Sequence, residues 1–133
     1  MLKKIVAITL SLVALLGLGY ILTTVIGKPI STDLSVIGSG KPVLVLVYQN
    51  HSPTGGEALN SLSQVMNDYD SRLEFVVADI GIPQGQAFAS QYQMVDGQAM
   101  FLDQAGQPMR VTGIPSDESA LRKLLDDQLL AMK

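Results

Sequence analysis

The residues best suited to chemistry cluster in Asn50-His51-Ser52-Pro53-Thr54-Gly55, which sets the only histidine of the chain beside a hydroxyl. A serine next to a histidine suggests a nucleophile with its base. Neighbours on an extended segment point to opposite faces, however, so His51 is badly placed to take the Ser52 proton. Ser52 reads instead as a cap or turn former ahead of Pro53. The chain holds no cysteine, so no thiolate exists to attack a disulfide. One histidine without cysteine also offers a transition metal too few of the ligands it prefers. Gly81, Gly85 and Gly97 are isolated and lack the strand–Gly–helix spacing that a nucleotide phosphate needs. No catalytic residue, metal, cofactor or small-molecule substrate is therefore assigned, and an enzyme here would need turnover that depends on Ser52. Asn50-His51-Ser52 is formally a glycosylation acceptor, which the following Pro53 disfavours.

The elements that must hold this stretch follow from the apolar pattern. Val43–Tyr48 is a continuous β-branched and Leu run, the mark of a strand buried on both faces. Gly55-Gly56 opens a helix from about Glu57 to Tyr69, with Leu59, Leu62, Val65, Met66 and Tyr69 on one stripe. A second buried strand is predicted over Leu73–Ala78 and a short helix over Gln86–Tyr92. Ala99–Leu102 and Met109–Thr112 pair around a turn at Gln104-Ala105-Gly106-Gln107. Ser116 is placed as the cap of a last helix, with Leu121, Leu124, Leu125 and Leu129 inward. Asp126-Asp127 reads as a solvated face, and Met66, Met94, Met100 and Met109 as core. Residues 28–40 form a linker whose Leu34, Val36 and Ile37 alternation suggests either a first edge strand or a spacer that holds the domain off the membrane.

The resulting β-α-β-α-β-β-α order resembles the thioredoxin family over about residues 41–131. Lys41-Pro-Val-Leu-Val is similar to the strand before that family's active site, and Phe88-Ala-Ser-Gln-Tyr-Gln-Met94 to one of its helix ends. Phe101–Gly106 and Val111-Thr-Gly113 resemble its later strands. The resemblance implies an α/β fold with a central mixed sheet flanked by helices. It also implies that the chemistry has been lost. The two cysteine positions fall on Ser52 and Gly55, the buried acid on Leu46, the tryptophan before the motif on His51, and the cis-proline at or near Gln98. A trans peptide is expected before Gln98, because a cis bond there would cost roughly 2.5–4 kcal/mol. Residues His51, Ser52, Pro53 and Thr54, with Asp96, Gly97, Gln98 and Ala99, become a relic groove expected to bind protein without thiols.

The N-terminus carries a different signal. Ile5–Ile26 runs 22 residues without a charge, about 33 Å as a helix and enough to cross a bilayer core. Lys3 and Lys4 precede it, so residues 1–4 are expected in the cytoplasm and residues 5–27 as a transmembrane anchor. The competing reading is a cleaved signal peptide, against which the length of the run argues. Gly19, Thr23 and Gly27 recur every four residues, a spacing that lets a second helix approach. Beyond residue 28 the chain has twelve acids and six bases, a net charge of −6, which disfavours nucleic acid and anionic headgroups.

These features predict an anchor, a linker and a cysteine-less thioredoxin-like domain over residues 41–133, held on the periplasmic side of a bacterial inner membrane. The expected role is that of a non-enzymatic accessory or scaffolding subunit of a membrane protein complex. The alternative is a periplasmic assembly factor that transiently holds client segments, as in respiratory-complex or cytochrome maturation.

Overall fold

The computed structural model describes the backbone of residues 2–25 and 29–132, and side chains over 3–14 and 29–132. Helix α1, Leu2–Val25, has 24 residues and leaves Ile5, Val6, Ile8, Leu10, Leu12 and Val13 exposed. Among the described residues, no helix is long and apolar enough to cross a membrane. The anchor expected over residues 5–27 is thus not found among the described residues; the side chains of its second half and all of residues 26–28 lie outside them. Gly27 and the Thr23 side chain, both assigned to a helix interface with Gly19, lie outside them too.

The remaining elements build one sheet with helices on both faces. Strands β1 (Val43–Tyr48), β2 (Glu74–Asp79), β3 (Gln98–Leu102) and β4 (Pro108–Gly113) stand in the order β2-β1-β3-β4. β1 and β2 are parallel, with Val45 opposite Val76, because helix α2 (Pro53–Val65) carries the chain back between them. β3 runs antiparallel to β1, and β4 antiparallel to β3. Alternation along the strands then feeds two cores. Leu44, Leu46, Phe75 and Phe101 meet α2 (Ala58, Leu62, Val65) and α4 (Glu118–Ala131; Leu121, Leu125). Val43, Val45, Val47, Val76, Ala78 and Met100 meet α3 (Pro83–Gln91; Phe88, Ala89) on the other face. Gly85 makes that second contact possible, since a Cβ there would lie 2.1 Å from the Asp79 carbonyl oxygen.

Several sequence expectations are corrected. Of the two readings of the 34–37 alternation the edge strand is not formed: Asp33 accepts the Ser35 N–H at 3.0 Å and winds Leu34–Val36 into a 3-10 turn, whose apolar residues pack on the α3 side. The edge of β2 is touched instead by Ser31, in a single parallel bridge to Val76. α2 begins at Pro53, four residues before Glu57, because proline is favoured in the first helical turn. It ends at Val65, and a 3-10 turn covers Met66–Asp68. Asp117, not Ser116, caps α4, accepting the Ala120 N–H at 2.9 Å. Met109 is exposed rather than core. Asp126 is not simply solvated: it accepts the Tyr69 hydroxyl at 2.9 Å. Burial and that carboxylate together push the Tyr69 phenol above its ordinary value.

Candidate functional site: the Asp96 clamp

β1 delivers the chain to the top of the sheet, and Gln49–Ser52 turns it into α2. Ser52 holds the N-cap position with extended backbone, φ −83° and ψ 128°, but its side chain caps nothing within the helix. The hydroxyl instead donates to Asp96, 44 residues away, at 2.5 Å. The same Asp96 oxygen, Oδ2, accepts the Gly55 N–H at 2.9 Å, and Oδ1 accepts the Gln49 N–H at 2.7 Å. One carboxylate thus binds the end of β1, the N-cap hydroxyl and a first-turn amide of α2. Such an amide has no partner within its own helix, and the positive end of the helix dipole favours an anion there.

Two glycines make the approach possible. A Cβ on Gly55 would lie 2.0 Å from Asp96 Oδ1, and one on Gly97 would lie 2.5 Å from Thr54 Cγ2. Gly97 also takes φ +85°, a region open to glycine at little cost, and donates its N–H to the Val47 carbonyl at 2.9 Å. The Asp96 carboxylate and the Thr54 methyl fill the space between the two segments. Gln98 folds locally, its Oε1 accepting the Val95 N–H at 3.0 Å, and no cis bond occurs among the described residues. Ala99 is fully buried in β3, opposite Leu46. Leu46 lies in the α2-side core with Leu44 and Phe101, so no acid stands beneath the site.

The eight residues assigned to a relic groove are therefore gathered unequally. Ser52, Thr54, Asp96 and Gly97 are in direct contact; His51 and Pro53 are exposed beside them, and Ala99 lies beneath. His51 sits at φ 64° with its own N–H donated to Asn50 Oδ1 at 3.1 Å. Gln49 and Gly55 were not among the predicted site residues. Gly55 carries the signal that could have found them, because glycine in a first turn is a poor helix former without a close neighbour to admit. The Ser52 hydroxyl donates to a carboxylate whose two oxygens also hold backbone amides. That arrangement ties the loop before α2 to the turn before β3.

No protein-family model matches the chain, and no curated protein matches it. Solved structures do. Trxlp from Edwardsiella tarda EIB202 aligns at 22% identity over 68% of this chain and 87% of its own, with TM-score 0.57. An uncharacterized thioredoxin-like protein from Clostridium perfringens gives 17%, 76% and 81%, with TM-score 0.63. A thioredoxin from Thermus thermophilus gives 18%, 76% and 88%, with TM-score 0.60. The fold is thioredoxin-like. Identities at this level establish architecture alone.

Proposed function

We propose that this chain is a non-enzymatic thioredoxin-like accessory subunit, anchored in a bacterial inner membrane and acting by contact with other proteins of an extracytoplasmic complex. The observation that carries the reading is the Asp96 clamp. In a thioredoxin-like fold without cysteine, the oxygens of this carboxylate are committed to Gln49, Ser52 and Gly55. A site so occupied stabilises a surface and performs no exchange. Contact would come from the exposed tip His51–Thr54, which the clamp holds rigid beside Asp96–Gln98. The anchor is supported by the 22 uncharged residues of Ile5–Ile26 and by the apolar surface that α1 exposes.

The test is extraction in mild detergent through a C-terminal tag, followed by mass spectrometry. A permanent subunit brings down a membrane protein in fixed stoichiometry, and paired substitutions His51→Ala and Thr54→Arg release it. Recovery of substoichiometric, immature clients alone supports the assembly-factor reading instead. Recovery of the chain in the aqueous fraction without detergent removes the anchor from the account.

A further inference from the structure

The outer side of β4 is an open sheet edge. Glu74 and Ile80 donate their N–H groups to the Pro42 and Tyr48 carbonyls, so β1 turns its even-numbered residues to β2 and its odd ones to β3. Met100 and Leu102 of β3 therefore bond to β1, while Ala99 and Phe101 bond to Thr112 and Arg110 of β4. Val111 and Gly113 are left with N–H and C=O aimed out of the sheet, and no backbone partner meets their N–H groups among the described residues. All of β4 except Thr112 is exposed, Met109 and Val111 included. Pro108 and the register shift at Phe101/Leu102 guard only the first half of this edge. Charge marks the edge too: Gln107–Ser116 contains no acid, in a domain of net charge −6.

We propose that two copies of this chain join through this edge, β4 lying antiparallel to the second copy's β4 so that the two sheets become continuous. A two-fold pairing of this kind sets one residue opposite itself, and the strand offers one good choice. Centred on Val111, the register stays within residues 109–113. Val111 then exchanges both backbone bonds with the second copy's Val111, and their side chains meet. Met109 falls opposite Gly113, where a Cβ has nothing within 4 Å and a long side chain finds room. Arg110 falls opposite Thr112. Centring on Arg110 would set two guanidinium groups face to face, which is unfavourable. Centring on Thr112 would carry Met109 onto Pro115, beyond the strand. The pattern is thus complementary to itself, which selects a second copy over a foreign strand. The absence of acid works the same way: two domains of net charge −6 repel wherever their acids meet, and along this edge none do. The pairing uses none of His51–Thr54, so its failure leaves the proposed accessory role standing.

The test is amide hydrogen exchange on the full chain in detergent micelles, from about 10 μM to about 1 mM, because a strand pair is a small interface. Light scattering on the same samples follows monomer and dimer. The Val111 and Gly113 amides are expected to exchange at least about tenfold more slowly in the dimer, while the Arg110 and Thr112 amides, held by β3, stay protected throughout. Val111→Lys sets two ammonium groups opposite each other at an exposed position and should restore fast exchange at Gly113. Val111→Pro should do the same without disturbing the β3 ladder, since it removes a donor that faces away from β3. A chain that is monomeric at every concentration overturns the proposal. So does a dimer whose Val111 amide stays fast, which would place the contact elsewhere, or a Gly113 amide that stays slow in both variants. Slow exchange of Val111 in the monomer would show the edge to be covered within one chain and overturn it too. Slow exchange that appears only when another protein is retained would assign the edge to a foreign strand, with the same consequence.

Discussion

Two helices of this chain begin under a carboxylate, and the two carboxylates arrive by different routes. At α4, Asp117 is the N-cap residue itself and reaches three residues ahead to the Ala120 N–H. At α2 the N-cap side chain is turned away, and the first-turn amide is satisfied by Asp96 from across the sheet. The local cap stabilises one helix end. The remote one also joins the turn before β3 to the end of β1, and so does the positional work of a cross-link in a chain that has no disulfide to form.

Removing each acid is the largest test of that contrast. Asp117→Ala should cost about 1 kcal/mol, the ordinary weight of an N-cap. Asp96→Ala should cost about 3 kcal/mol, since it strands the Gln49 and Gly55 amides and the Ser52 hydroxyl together. Urea unfolding of both variants gives the comparison directly, and equal losses would reduce Asp96 to a second ordinary cap.

The paired glycines sharpen the same point with the opposite sign at adjacent positions. Gly55→Ala drives a methyl into the Asp96 carboxylate and should destabilise by about 2 kcal/mol. Gly56→Ala meets open space in the same helix and should stabilise by up to about 1 kcal/mol. Thermal midpoints of the two variants on opposite sides of the parent are the expected outcome.

The smallest effect lies away from both helix starts, at Tyr69. Its phenol is raised by burial and by Asp126, so the protonated form is favoured in the folded state. The stability this contributes is complete below the ordinary tyrosine range near 10 and is lost as pH climbs through the folded value. Ultraviolet titration should show the Tyr69 phenol ionising above the ordinary tyrosine range, and Asp126→Asn should bring it part of the way back.

What the sequence made legible was whatever rests on short-range pattern. β1 falls on the predicted residues because a β-branched run buried on both faces has few other solutions. β3 starts one residue before its predicted range and ends as predicted, and β4 extends one residue at each end. The errors gather where a polar side chain chooses between partners. Ser116 and Asp117 are both competent caps, and Asp33 converts an apparent strand alternation into a turn. The Asp96 clamp was legible only in part. Both ends of the site were assigned, yet the bond between them depends on β3 arriving beside β1, which no local pattern states. Gly55 was the nearest written sign of it.

The central claim is that the Asp96 carboxylate ties the start of α2 to the end of β1. Amide hydrogen exchange on the parent and on Asp96→Asn tests it most directly. The account predicts protected Gln49 and Gly55 amides in the parent, strongly weakened protection of both in the variant, and an unchanged Ala120 amide at the other helix start. Fast exchange at Gln49 and Gly55 in the parent, or protection that survives the substitution intact, would contradict it.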